Sequence, residues 1–264
     1  MTMQLTGIAG STALVTGAVG GIGSAVASCL AAAGAAVVAA DIDGAGAAAL
    51  AETLRGQGAS ALGLRLDVTD HAEVERAVDT VERTVGPIGI LVNAAGVLGR
   101  VAALTEYDDA EWQRVFAVNA HGPFNCMRAV GRRMAERRAG RIVTIGSNSA
   151  AIVKTGQGLY GASKAAAHYL TNCLGLELAG QGVRCVVVAP GTTETAMSRA
   201  NWHVSGRREA LLHGEPDRYR VGIPRGRFAD PREIASVVAF LASDQAAHLT
   251  VTTVTVDGGS SLRP

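Results

Sequence analysis

Thr12-Ala-Leu-Val-Thr-Gly-Ala-Val-Gly-Gly-Ile-Gly23 opens with an apolar run that stops at a cluster of glycines, and the alanine-rich stretch SAVASCLAAAGA follows. The run 12–16 has the length and apolar continuity of a strand buried on both faces. The segment 21–33 has the spacing of an amphipathic helix. Between them Gly17, Gly21 and Gly23, with Ile22 in the same turn, allow a tight reversal and leave free N–H groups at a helix N-terminus. That arrangement suits close approach to a pyrophosphate. A glycine turn is also an ordinary strand-to-helix connection, and its place in the first such unit is what gives it weight.

The same rhythm continues outward. Strands are predicted at 12–16, 36–40, 61–66, 88–93, 140–146, 183–189 and 253–257, and helices at 21–33, 45–57, 70–85, 108–137, 158–180 and 231–243. Strict alternation of apolar runs with longer amphipathic segments predicts an α/β fold: one Rossmann-type, doubly wound sheet of about seven parallel strands flanked by helices. No low-complexity linker divides the chain, so residues 1–264 are expected to form a single domain. One segment breaks the pattern, the connection 192–229, which holds Met197 and Trp202 amid several arginines. A long insertion of that kind is expected to form a lid or binding loop.

Composition bounds the function. Aromatics make up 4% of the chain, so the core must be aliphatic. A net charge of +1 gives no basic surface for nucleic acid or an anionic membrane. Neither partner is expected. Cys29, Cys126, Cys173 and Cys185 are scattered without metal-ligand spacing, which predicts reduced thiols, no metal site and a cytoplasmic protein. The N-terminal stretch has no basic segment followed by an apolar one, so no signal peptide is expected. Of 24 basic residues, the only lysines are Lys154 and Lys164.

The second strand ends at Asp41, where a carboxylate can accept hydrogen bonds from both hydroxyls of an adenosine ribose and repel a 2′-phosphate. No Lys or Arg adjoins it in AADIDG or in the glycine turn, which favours NAD over NADP. Asp41 is equally readable as a turn-forming residue. Asp67 and Val68 end the third strand, where an adenine edge would lie, and Asp70 reads as the next helix's N-cap. The fifth strand leads to Ser147, and Tyr160 and Lys164 follow at helical i, i+4 spacing on one face. A neighbouring ammonium favours the phenolate, which would make Tyr160 a base nearer neutral pH.

TGAVGGIG (16–23), NAAG (93–96), Asn119, Ser147, YGASK (160–164) and PGTTETAM (190–197) occur in that order along nearly the whole chain. The ordered set resembles the short-chain dehydrogenase/reductase family. The resemblance implies catalytic roles for Asn119 (organising a proton-relay water), Ser147 (polarising the substrate oxygen), Tyr160 (acid/base) and Lys164 (tuning Tyr160 and binding the nicotinamide ribose). It also implies that Asn93, Ala94 and Gly96 line the cofactor cleft, that Pro190, Gly191, Thr193 and Thr195 grip the nicotinamide end, and that the protein is a homotetramer.

NAAGVL, FAVNAHGPFN, GIPRGRFADPREIASVVAFLASD and VTVDGGSSL are similar to members that oxidise a cyclohexadiene alcohol carrying a carboxylate. That similarity implies a small aromatic-precursor carboxylic acid as substrate, either 2,3-dihydro-2,3-dihydroxybenzoate or 2,3-dihydro-3-hydroxyanthranilate. Lys154, in the loop between Ser147 and Tyr160, and Arg100 are the candidate cations for its carboxylate, and each reads as well as a solvated loop charge. Gln157 and Leu159 are expected to shape the ring pocket, with Met197 and Trp202 closing over it. His168 is expected to pack away from the Tyr160/Lys164 face. Two alternatives stay open: a 3-oxoacyl-thioester reductase, which would draw on NADPH, and a nucleotide-binding sensor or scaffold without turnover.

Overall fold

Thr12–Thr16 forms β1, buried at every position, and the pleat sends its side chains to opposite faces. Ala13 and Val15 join one apolar layer with Val26, Leu30, Ile234 and Val238. Leu14 joins the other with Val74, Val78, Val130 and Met134. A strand buried on both sides needs helices on both sides, and the sequence between strands supplies them. The computed structural model describes residues 5–205 and 208–262.

Strand and helix alternate as the hydrophobic pattern requires. β1 is followed by α1 (Gly21–Ala32), β2 (Ala36–Asp41), α2 (Gly44–Gly56), β3 (Ala61–Arg65), α3 (His71–Thr84) and β4 (Ile88–Asn93). Then come α4 (Asp109–Phe116), α5 (Gly122–Arg137), β5 (Gly140–Ile145), α6 (Gly158–Leu178) and β6 (Val183–Pro190). The chain ends through α7 (Ala196–Ser205), α8 (Arg208–His213), the short strands β7 (Gly214–Glu215) and β8 (Arg220–Val221), α9 (Pro231–Ala242) and β9 (Thr252–Val256). The main sheet is seven-stranded, in the order β3-β2-β1-β4-β5-β6-β9, with every pairing parallel. Strand order reverses direction between β1 and β4. The loops leaving the carboxyl ends there diverge and open a crevice.

The predicted helix 108–137 is interrupted. A π turn at Ala117–His121 separates α4 from α5. Pro123 explains it: proline has no N–H for the carbonyl of Asn119, four residues back, and its ring crowds that carbonyl. Asp70 caps α3 as expected, accepting the Glu73 N–H at 3.0 Å. The connection 192–229 carries regular elements of its own. It holds α7, α8 and the β7–β8 pair around a small apolar cluster of Trp202, Leu211, Ile223 and Phe228.

Close packing of α2 on β3 depends on Gly63, where a Cβ would lie 2.5 Å from the Ala48 Cα and 2.6 Å from the Ala47 carbonyl. The obstacle is helix backbone, which cannot step aside. Gly63→Ala is expected to lower unfolding free energy by about 1–3 kcal/mol, read from the midpoint of urea denaturation. An unchanged midpoint would refute this account of the layer spacing.

Candidate active site

Five loops and helix starts meet at the carboxyl ends of β1, β4, β5 and β6. They line an open cavity. Its walls include Ile22, Ala94, Gly96, Ser147, Tyr160, Lys164, Pro190, Gly191, Thr193 and Thr195. The strand ends bring together residues more than a hundred positions apart.

The cofactor side rests on glycine geometry. Gly17 has φ +63°, and a Cβ there would lie 2.5 Å from the backbone of Ala95. A Cβ on Gly23 would meet the Gly17 carbonyl at 2.1 Å. A Cβ on Gly21 would meet the Thr195 side chain at 2.8 Å, so the α1 start and the loop after β6 close on each other there. No side chain caps the N-terminus of α1, which leaves its N–H groups available to an anion. Asp41 accepts the Val19 N–H at 3.0 Å and the Asp43 N–H at 3.1 Å, which aims its carboxylate across the glycine turn. Register places Arg65 opposite Asp41, a neighbour the local sequence does not reveal, but its guanidinium is held by Glu73 at 2.7 Å. Asp67 is tied to Thr69 (2.9 Å to N–H, 2.7 Å to Oγ1), and buried Val68 receives a hydrogen bond from Asn125 at its carbonyl. These residues suit a dinucleotide.

Lys164 is buried, and its ammonium donates to the Ile145 carbonyl at 2.9 Å. Gly96 makes room for it, since a Cβ there would lie 3.3 Å from Nζ and 3.4 Å from Asn119 Oδ1. Asn119, fully buried in the π turn, accepts the Val97 N–H and donates to the Val97 carbonyl, both at 2.8 Å, and also donates to Ser163 Oγ at 3.0 Å. Buried Asn93 donates to Thr144 Oγ1 at 3.3 Å. Ser147 Oγ accepts the Ser149 N–H at 3.1 Å and is hydrogen-bonded to Tyr160. Ser147, Tyr160 and Lys164 therefore share one wall, with Asn119 directly behind.

The titration state of Tyr160 corrects the expectation from spacing. Burial raises its pKa, and the Ser147 hydrogen bond only partly opposes it. Lys164 Nζ lies 6.0 Å from the ring centroid, and burial pulls its own pKa down to about 8. Without a ligand, Tyr160 is a phenol.

Of the residues expected to meet a substrate, Lys154, Gln157, Met197 and Trp202 line the cavity. Trp202 is buried and stacks on Phe228 with centroids 4.4 Å apart, so it forms a fixed wall; Met197 is half exposed at the mouth. Arg100 is not among the wall residues. Its guanidinium bonds the Glu106 carbonyl and lies 5.6 Å from the Tyr107 ring centroid, on the outer surface. Leu159 is also displaced, because one residue of helix turns it about 100° from Tyr160 into the core, where it is 1% exposed.

Arg220 on β8 is a further wall residue, with no local signal in the sequence to select it. Lys154 donates to Asn148 Oδ1 at 2.5 Å, and Asn148 donates to Asp257 Oδ2 at 3.1 Å. Burial first, then the charge of Arg220, lowers Lys154 to about 8 against the pull of Asp257. Burial pushes Asp257 up, but hydrogen bonds from Ser261, Asn148, Gly259 and Ser260 hold it below its ordinary value. His168 also differs from expectation. It sits at i+8 from Tyr160, on the same helical stripe, and its Nε2 accepts the Ser147 N–H at 3.1 Å. Among the described residues no cluster of three His, Cys, Asp or Glu could hold a metal ion, and no helix is long and apolar enough to cross a membrane.

Residues 17–261 match the family described as enoyl-(acyl carrier protein) reductase. The 2,3-dihydro-2,3-dihydroxybenzoate dehydrogenase of Bacillus subtilis (strain 168) is 42% identical over 260 residues, 98% of this chain and 99% of that protein. The 3-oxoacyl-[acyl-carrier-protein] reductase of Escherichia coli (strain K12) is 40% identical over 250 residues, 95% and 97% of the two chains. A crystal structure of a gluconate 5-dehydrogenase from Burkholderia cenocepacia J2315 in complex with NADP and tartrate superimposes with a TM-score of 0.88, at 35% identity over 97% of each chain.

Asn119 anchors the back of this site through three hydrogen bonds. Asn119→Ala strands the Val97 amide and carbonyl, so stability should fall by about 1–3 kcal/mol in chemical denaturation. Stability within experimental error of the parent would show that water replaces the side chain without cost.

Proposed function

This chain belongs to the short-chain dehydrogenase/reductase family, and from that premise we propose that it oxidises the C3 hydroxyl of 2,3-dihydro-2,3-dihydroxybenzoate to give 2,3-dihydroxybenzoate, with NAD as acceptor. The observation that carries the proposal is the pairing, in one cavity, of Ser147, Tyr160 and Lys164 with the two cations Lys154 and Arg220. The first group suits alcohol oxidation and the second suits a carboxylate. The B. subtilis relative's name matches this chemistry.

Gly17, Gly21, Gly23 and the α1 N-terminus would hold the pyrophosphate, Asp41 the adenosine ribose, and Lys164, Pro190, Gly191, Thr193 and Thr195 the nicotinamide half. Bound NAD supplies a hydride acceptor and a cationic ring. Ser147 Oγ holds the substrate oxygen, and Tyr160 takes the hydroxyl proton at Oη. Positive charge brought to Tyr160 opposes the rise that burial imposes, so its basicity belongs to the complex. Lys154 and Arg220 fix the carboxylate and thereby the ring. Trp202 and Met197 exclude water from its face. The C3 ketone enolises to an aromatic ring, which makes the oxidation favourable.

Asp41 and the engagement of Arg65 by Glu73 support NAD over NADP. The anthranilate analogue, with an amine at C2, would bind through the same carboxylate. The two wall cations weigh against a 3-oxoacyl-thioester substrate, and the intact Asn119, Ser147, Tyr160 and Lys164 set weighs against a sensor or scaffold without turnover. Homotetramer assembly belongs to the same proposal, supported by an open apolar groove between α5 and α6 lined by Phe124, Leu170, Leu174 and Leu178. So does cytoplasmic residence, supported by four unpaired thiols.

The direct test mixes the protein with NAD and each dihydro acid and follows NADH absorbance; silence with both sinks the reading. Lys154→Ala and Arg220→Ala should each raise KM for the acid roughly ten- to hundredfold, the worth of a charge-assisted hydrogen bond, with a smaller change in kcat. The pH profile carries a sign. Lys154 must be protonated to bind the carboxylate, so affinity should fall as pH rises through about 8. Lys154→Arg keeps its charge and should remove that alkaline loss; persistence of the loss would assign it to Lys164. In the wild type kcat/KM should favour NAD over NADP by about tenfold or more, and Asp41→Ala should erase most of that preference. A wild-type preference for NADP would reverse the cofactor assignment.

A further inference from the structure

The last ladder bond at the end of β5 runs from the Gly146 N–H to the Val188 carbonyl at 2.8 Å. The next donor along the chain is the N–H of Ser147, a residue only 7% exposed. A buried amide needs an acceptor, and no strand offers one there. Nε2 of His168 supplies it at 3.1 Å. His168 lies four residues after Lys164 on α6, so the helix carrying Tyr160 and Lys164 also grips the backbone of Ser147.

We propose that His168 is a positioning residue for Ser147: its neutral imidazole accepts the Ser147 N–H, prolongs the β5 ladder by one bond onto α6, and sets the direction in which Ser147 presents Oγ. Ser147 is extended (φ −166°, ψ 149°), and its Oγ faces Tyr160 only while that backbone direction holds. The rest of the local structure fits the role. A Cβ on Gly146 would lie 1.9 Å from His168 Nε2, so the imidazole occupies the space this glycine leaves. An accepting Nε2 places the ring proton on Nδ1. Burial, and then the charge of Lys164, lowers His168 to about 4, so the lone pair is present throughout the neutral range. Protonation would remove the acceptor and set a second cation beside Lys164.

The role rests on the reading of Ser147 as the residue that holds the substrate oxygen, and the tests separate the two. The first needs no substrate. In the 15N spectrum of ligand-free protein at neutral pH, the His168 ring, assigned by its loss in His168→Gln, should show Nδ1 protonated and Nε2 bare. An Nε2-protonated or cationic ring overturns the proposal. The second compares His168→Leu, which cannot accept, with His168→Gln, whose amide oxygen can. The Leu variant should lose about ten- to hundredfold in kcat, the scale of a misplaced reacting group. KM for NAD and for the acid should stay within about twofold, and the Gln variant should regain most of the loss. Equal impairment of both variants, or an unaffected Leu variant, overturns the proposal. If the Leu variant does not fold, the tautomer and the Gln variant decide. If neither dihydro acid turns over, the tautomer still decides the state of His168, while the reading of the substrate fails separately.

Discussion

Lys164 is a lysine only 5% exposed, a charge costly to bury, and much of this site is its accommodation. Its charge is met by the Ile145 carbonyl at the end of β5, which seats α6 against that strand. Gly96 lets the loop after β4 pass close beside it, since a Cβ there would lie 3.3 Å from Nζ. Asn119 must lean out of its helix to close the other flank, and Pro123 breaks the helical ladder so that it can. His168 must stay neutral one turn further along. The same helix then delivers Tyr160 to Ser147. One buried charge thus couples β4, β5, α6 and the π turn.

What the sequence revealed follows from range. Strand and helix alternation is a local property of hydrophobic period, and the seven strands lie where the apolar runs placed them, within a residue or two. Asp41, Ser147, Tyr160 and Lys164 were legible because each is fixed relative to an element end or a helical spacing. The interruption at Ala117–His121 was not, although Pro123 carried the signal, because amphipathic period runs unbroken across it. Leu159 was misplaced because the adjacent residue on a helix points about 100° away from Tyr160, here into the core. His168 was misplaced for the converse reason, since eight residues bring a side chain back to the same stripe.

The residues expected to meet a substrate are a harder class because they come from loops whose meeting is a tertiary event. Arg100 and Lys154 looked equivalent in sequence. The fold separates them: Arg100 is drawn outward by the Glu106 carbonyl and the Tyr107 ring, while Lys154 is drawn inward by Asn148. Arg220 joins Lys154 only because Trp202, Leu211, Ile223 and Phe228 form a small core that folds β8 back over the cavity. The insertion is therefore a built wall, and its apolar cluster determines where Arg220 stands in the cavity. Asp257, just after the edge strand β9, reaches Lys154's partner by accepting from Asn148.

The scarcity of lysine acquires a physical sense at this point. The chain uses arginine for its surface pairs, where a permanent charge and a broad fork are well hydrated. Its two lysines stand where the ammonium is desolvated, and both are drawn down to about 8. An arginine at Lys164 would bring a planar fork into a space bounded by Gly96, Asn119 and the Ile145 carbonyl, and would keep its charge at any working pH. Lys154 is the less constrained of the two, because it faces an open cavity and neighbours an arginine already. Arginine at Lys154 should therefore keep substrate binding, whereas arginine at Lys164 should disturb the seat of Tyr160 and Ser147.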